Sequence, residues 1–309
     1  MPAKATRAAF GEALLDLGAK DDRIVTLDAD LSKSTMTAGF AKKYPDRAFN
    51  VGIAEANMIG VAAGLALAGK IPFAASFACF LVGRYETIRI SVAYTGAGVK
   101  LVGTHVGVAI GEDGYSQMGL EDIACIRALP NIPVIQPADE LECKQVIAYA
   151  VEHQGPLYLR LTSQNLEPVC PPGYRFVFGK WLKLRDGGNV TIIASGGTVF
   201  NALEAAKQLE GDGIRAEVIN AACIKPLDEE MLVASARHTG HIVTVEDHSV
   251  QGGLGGAVSE TLGDVAPTPV RRLGVHGFGE SGDLKGLYAK HGLDAAGIAR
   301  GVRKFLGRS

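Results

Sequence analysis

FNVGIAEANMIGVAAGLALAGKIPFAASFACFL, residues 49–81, holds one helix and one strand side by side. Ala54 to Lys70 is built of small and apolar residues and predicts a helix. IPFAASFACFL (71–81) is almost continuously apolar and predicts a strand. A strand without polar alternation is covered on both faces, which is the mark of a parallel sheet sandwiched by helices. Glu55 stands out in this stretch, because its neighbours are apolar, small or amide. A solvated glutamate costs little, whereas a buried one must find a partner or keep its proton.

The same alternation extends in both directions. Ala8 to Leu17 reads as a helix, and RIVTLDADL (23–31) as a strand emptying into an acidic, Ser-rich loop. Tyr85 to Ala93 reads as helical, and VKLVGTHVGV (99–108), IPVIQP (132–137) and PLYLRLT (156–162) read as strands. The loop AIGEDGYSQMG follows the third strand, and PADELECKQVIAYAVEH has the proline and acids of a helix start. NLEPVCPPGYRF (165–176), with three prolines, reads as a linker. A second alternating series follows, with strands at 189–195, 216–224 and 241–247 and helices at 199–210 and 228–237. The fold class is α/β, with two parallel-sheet domains. A larger one spans 1–170, a linker 171–186, and a smaller domain 187–309. A length of 309 residues fits two cores of ordinary size.

Composition narrows the function classes. A formal charge of −2 argues against nucleic acid or an anionic membrane as the main partner. The longest nearly apolar run, Met58 to Gly69, falls short of the ~18 residues of a membrane span. The N-terminus carries periodic apolar residues rather than a signal-peptide core, so a cytoplasmic chain is expected. The five cysteines are scattered and never form CxxC, which favours buried thiols over a metal site.

Ligands of open parallel sheets sit beyond the carboxyl ends of the strands. The loops to examine are therefore 28–34, 50–55, 76–80, 104–117 and 162–165. Glu55 is either a first-turn helix acid or a buried acid that bonds a ligand's ring nitrogen. Phe77 and Phe80 are either core or a platform for an aromatic ring. His105 and Asp113 flank a glycine-rich loop and are either turn residues or site residues. GEDG (111–114) matches no metal or phosphate loop. In QGGLGGAV (251–258), Val258 stands where the third glycine of a dinucleotide fingerprint belongs.

Taken in order, FNVGIAEANM, SFACFLVGRYETIR, THVGVAIGEDGYSQMGLEDIACIRALPNIPVIQPAD and LTSQN resemble the pyrimidine-binding half of transketolase. IVTVEDHSVQGGLGGAVSE and FGESG resemble that family's C-terminal domain. The GEDG-to-PAD segment is closer to transketolase than to a deoxyxylulose phosphate synthase or a 2-oxo-acid dehydrogenase β subunit. The closest likeness is to the C-terminal subunit of split, two-gene transketolases.

The resemblance implies a thiamine diphosphate enzyme that moves two-carbon ketol units between a ketose donor and an aldose acceptor. It implies that Glu55 bonds N1′ of the cofactor's aminopyrimidine and favours the imino tautomer. Phe80 matches the ring that stacks on the pyrimidine, Phe77 a neighbouring wall residue, and Asp30 a position near cofactor and subunit interface. His105 matches a histidine facing the sugar, and Asp113 an aspartate reading donor stereochemistry. Arg7 and Ser34 match residues that hold a terminal phosphate. Gln117 stands where the family has histidine and Ser163 where it has arginine, so two cationic donors are replaced by neutral groups. Either a partner or another arginine, such as Arg84 or Arg160, compensates, or the substrate lacks a phosphate there.

The family's GDG–Asn motif for the metal-bound diphosphate has no counterpart in this sequence. The resemblance therefore implies an N-terminal partner subunit that binds Mg2+ or Ca2+, an α2β2 assembly and inactivity alone, with this chain by itself a homodimer; no metal site is expected in this chain. The alternatives are an acyloin-forming enzyme on an unusual, non-phosphorylated substrate and a non-catalytic scaffold subunit.

Overall fold

The computed structural model describes residues 2–308. Fourteen strands are arranged in three sheets, in chain order β1 (Lys4–Ala5), β2 (Ile24–Asp28), β3 (Ala48–Asn50), β4 (Ile71–Phe77), β5 (Lys100–Thr104), β6 (Val134–Ile135) and β7 (Leu157–Arg160), then β8 (Asn165–Leu166), β9 (Leu182–Arg185), β10 (Val190–Ala194), β11 (Ala216–Asn220), β12 (Cys223–Lys225), β13 (Ile242–Ser249) and β14 (Val270–Val275). The first large sheet runs β12-β6-β7-β5-β4-β2-β3, and all its pairs are parallel except β12 with β6. The second runs β14-β13-β10-β11-β9, parallel except for β9.

The apolar run that opened the sequence behaves as its composition dictates. β4 is buried over all but its first residue, and the helix Glu55–Leu67 covers it. Met58, Ile59, Ala62 and Ala63 face the core between sheet and helix. Glu55 is the first residue of that helix and is only 5% exposed.

Several strands stop earlier than their apolar runs suggest. β4 ends at Phe77, where Ala78–Val82 turns into a short helix. β5 ends at Thr104, because His105 takes φ +55°, a left-handed conformation that few non-glycine residues adopt. Asp30, just past β2, does the same at φ +65°. Both breaks lie at carboxyl ends of the first sheet, on the two strands that flank β4.

The two halves are more interleaved than the sequence reading. The segment read as a linker over 171–186 ends in β9, which pairs with β11, so the second sheet starts inside it. The run 216–224 is two strands: β11 stays in the second sheet, while β12 crosses back to pair with β6 in the first. A continuous apolar run carries no mark of that change of partner. The little sheet β1–β8 fastens the N-terminus beside the loop after β7, with Thr162 N–H donating to Thr6 Oγ1 at 2.9 Å. The glycines around 253–255 are a packing device: Glu246 accepts from Leu254 N–H at 2.6 Å and Gly255 N–H at 2.8 Å, and a Cβ on Gly253 would overlap its carboxylate. Among the described residues, no helix is long and apolar enough to cross a membrane.

Candidate functional site

The carboxyl ends of β4 and β5 place Ser76, Phe77, Thr104 and His105 in register, with Ser76 paired to Gly103 and Phe77 to Thr104. Glu55 reaches this corner from its helix. Among the described residues its one side-chain hydrogen bond is a long one, 3.5 Å from Ser76 Oγ. A buried carboxylate has about four acceptor positions, so most of its capacity is unused. The first helical turn also aims the positive end of the dipole at it.

The residue after Ser76 begins an aromatic pair. Phe77 and Phe80 stack with centroids 5.4 Å apart and planes 8° from parallel. The His105 ring also lies against Phe77, with centroids 3.8 Å apart. Phe77 is buried and Phe80 half-buried, so the stack forms one wall with an accessible edge.

The imidazole of His105 has a fixed tautomer. Arg7 Nη1 lies 2.7 Å from Nε2, and a guanidinium has no lone pair, so Nε2 accepts. The proton therefore sits on Nδ1, which donates to Thr104 Oγ1 at 2.9 Å, and Thr104 in turn donates to the Ser76 carbonyl at 3.2 Å. Burial, with the Arg7 charge adding to it, pushes the His105 pKa down to about 3. The ring is neutral over the physiological range. Arg7 also donates to the Ser34 carbonyl at 2.8 Å, and its Nε is buried without a partner. Burial lowers its pKa as well.

The acidic loop after β2 is held by Asp28. This buried carboxylate accepts from Leu31 N–H at 2.7 Å and from Thr35 Oγ1 at 3.2 Å, and burial raises its pKa. Asp30 is exposed and paired with Asn50 through both main-chain and side-chain contacts.

The structure thus brings together Arg7, Ser34, Glu55, Phe77, Phe80 and His105. Asp113, Gln117 and Ser163 stand apart on the flanking loops. Asp113 is exposed and the other two are half-buried, and none of the three side chains makes a hydrogen bond among the described residues. Arg160 cannot supply the cation missing at Ser163. It is fully buried and committed to Asp122 at 2.8 Å and to the carbonyls of Gly119 and Asp247. Arg84 is exposed.

Sequence reasoning placed Ser76 and Thr104 in the loops to examine but gave them no role; they orient Glu55 and His105. A small hydroxyl at the end of an otherwise apolar strand is the signal that could have found them.

A family model described as "Transketolase, pyrimidine binding domain" matches residues 3–168, and one described as "Transketolase, C-terminal domain" matches residues 179–298. The chain belongs to the transketolase family. It is 44% identical over 300 residues to a 6-deoxy-6-sulfo-D-fructose transketolase subunit of Clostridium sp. (strain MSTE9), covering 96% of this chain and 93% of that protein. Against an apulose-4-phosphate transketolase subunit of Phocaeicola vulgatus the identity is 37% over 305 residues, covering 98% and 97%. A solved split-gene transketolase, described as an inactive β4 tetramer, superposes with a TM-score of 0.91 at 47% identity, over 98% of each chain.

Proposed function

We propose that this chain is the pyrimidine-side subunit of a split, thiamine diphosphate-dependent transketolase. It transfers a two-carbon ketol unit from a ketose to an aldose and works only with an N-terminal partner that holds the diphosphate through Mg2+ or Ca2+. The observation that carries the reading is Glu55: a buried acid with spare acceptor capacity, bonded to Ser76, the residue that precedes the first of two stacked phenylalanines. A scaffold subunit has no use for that combination. The residues present fit the cofactor's aminopyrimidine, with Glu55 on a ring nitrogen and Phe77 and Phe80 against the ring face. When bound, thiamine diphosphate supplies the nucleophilic carbon and the electron sink.

This chain's own groups do the rest. Glu55 would hydrogen-bond the ring nitrogen and so would bias the tautomer of the bound ring. Phe77 and Phe80 exclude water from one side. A substrate hydroxyl that takes the place of the Arg7 N–H donates to His105 Nε2, whose lone pair is already oriented. Asp113 reads the donor's hydroxyl stereochemistry, Arg7, Ser34, Gln117 and Ser163 serve the far end of the sugar, and Asp30 lies toward the partner.

Assembly is supported by the apolar groups left on one flank of the first domain. Ile53 is 84% exposed, Leu67 68% and Tyr94 87%, with Val61 and Ile90 beside them in sequence. Such a patch fits burial against another subunit, in an α2β2 enzyme or a homodimer of this chain alone. The split-gene relative solved as an inactive β4 tetramer is consistent with a chain that is silent without its partner. Reaction in the cytoplasm, where sugar phosphates are made, follows from this reading.

A second reading concerns the substrate's tail. Gln117 and Ser163 are neutral, and Arg7 is already engaged by Ser34 and His105. A site with one cation suits a neutral sugar or a monoanion better than a phosphate dianion. The relative named for 6-deoxy-6-sulfo-D-fructose, whose sulfonate is a monoanion, supports this direction. The test is steady-state kinetics of the chain mixed with its N-terminal partner on fructose, fructose 6-phosphate and 6-deoxy-6-sulfofructose. Ketol transfer by the mixture and none by either chain alone is expected. Transfer by this chain alone, or none by the mixture, overturns the main reading, and a strong preference for the phosphate overturns the second.

A further inference from the structure

The loops of the first domain that flank the candidate site are held from the second domain. After His105 the chain forms the turn Gly107–Asp113, whose Gly111 has φ +73°. Asp247, on β13, accepts the Val108 N–H at 2.8 Å through Oδ1. Its Oδ2 accepts the Tyr288 hydroxyl at 2.8 Å. That hydroxyl also lies 3.1 Å from the Gln164 side-chain amide, in the loop that carries Ser163. Tyrosine has one proton, which the carboxylate takes, so Gln164 meets the hydroxyl oxygen through its amide nitrogen, by the 180° turn that exchanges the two amide ends.

Further along, the segment 278–282 closes over the same turn. Ser281 Oγ donates to the Glu112 carbonyl at 2.6 Å, Gly282 N–H donates to the Gly111 carbonyl at 3.4 Å, and Phe278 packs edge-on against Tyr115 at 4.7 Å. Asp247 and Tyr288 are themselves buried and firmly placed. The Asp247 main chain binds Arg160, and Ser249 N–H donates to the Leu120 carbonyl at 2.8 Å. One carboxylate and one hydroxyl therefore join the two loops that bear His105, Asp113, Gln117 and Ser163.

We infer that Asp247 and Tyr288 are positioning residues of the second domain that fix both loops where the sugar is read, so that this domain sets substrate affinity without touching substrate. The inference rests on the proposed reading that those loops face the sugar. It separates two duties: Glu55 and the phenylalanines serve the cofactor from β4 and the helices before and after it, while the sugar-side loops depend on β13 and the helix Leu284–His291.

The test uses Tyr288→Phe, which keeps the ring and deletes only the hydroxyl, and Asp247→Asn, each in the full chain. Amide hydrogen exchange is read on the chain, and kinetics on its mixture with the N-terminal partner, using the better of fructose 6-phosphate and 6-deoxy-6-sulfofructose. The expected result for Tyr288→Phe is exchange about tenfold faster over Val108–Gly114, with β4 and β5 unchanged. The donor KM rises about three- to tenfold, kcat stays within about twofold, and thiamine diphosphate affinity is unchanged. Asp247→Asn shifts the same quantities further. Unchanged exchange in the turn, or a fall in kcat and cofactor affinity with KM unmoved, overturns the inference. Should the unaltered pair turn over neither donor, that failure falls on the functional reading, and exchange in Tyr288→Phe alone decides this one.

Discussion

Gly107→Ala probes how firmly the second domain grips the turn after β5. Gly107 has φ +72°, and a Cβ added there would overlap all three atoms of the Asp247 carboxylate group. Asp247 has little room to retreat, being bonded to Val108 N–H and the Tyr288 hydroxyl. The left-handed conformation costs an alanine ~1–2 kcal/mol. Overpacking adds ~1–3 kcal/mol, and a weakened hydrogen bond to a charged group ~1.5–3 kcal/mol. These overlap, so a net loss of ~3–5 kcal/mol is expected. Gly213 supplies the control, since its φ is +71° and nothing lies within 4 Å of an added Cβ. Gly213→Ala should lose only the backbone part, ~1–2 kcal/mol. Urea unfolding of both variants, followed by circular dichroism, measures the difference directly. Equal losses for the two variants would refute the packing of Asp247 on this turn.

Other consequences follow from the same contacts. Glu55→Gln should lower kcat/KM of the assembled enzyme ~100-fold or more, while the unfolding free energy moves by no more than ~1 kcal/mol; a stability loss with activity intact would make Glu55 a mere helix-start residue. Arg160→Leu leaves Asp122 buried without its cation and should cost ~3–5 kcal/mol, much of it recovered in the double variant with Asp122→Leu; calorimetric unfolding of the three variants checks this. His105 gives a pH signature. The unfolded ring binds a proton below its ordinary 6.5, whereas burial and Arg7 hold the folded ring at about 3. Stability from the neutral ring is thus fully present above pH 6.5 and lost as pH falls, by ~2 kcal/mol at pH 5. Urea unfolding at pH 7.5 and pH 5 should show that extra loss in the unaltered chain and not in His105→Asn.

Much of this molecule is visible in the linear order of its residues, because local burial leaves a local pattern. The unbroken apolar runs at 71–77 and 100–104 mark strands covered on both faces, and the lone acid of 49–58 marks the helix start beside them. Phe77, Phe80 and His105 follow from the same strand ends. What the order of residues hides is pairing over distance. Arg7 meets His105 because β1 pairs with β8, bringing residues more than 150 positions apart into register, and neither two-residue strand has a pattern of its own. The departure of β12 to the first sheet is hidden for the same reason, since Cys223 and Ile224 are as apolar as β11. Arg160 looked available as a cation because its sequence neighbours suggest a strand end. Its commitment to Asp122 and Asp247 depends on two distant segments. Asp247 ends a stretch legible only as a strand and Tyr288 lies in one without a motif, and only their meeting with Val108 and Gln164 gives them a role.

Titration calorimetry of thiamine diphosphate with Mg2+ into this chain, its N-terminal partner and their mixture tests most directly whether Glu55 and the stacked rings form half of a shared cofactor site. Saturable binding by the mixture alone is predicted, weakened at least tenfold by Glu55→Ala and by Phe80→Ala. Equal binding by this chain without a partner, or an affinity indifferent to both substitutions, would contradict the account.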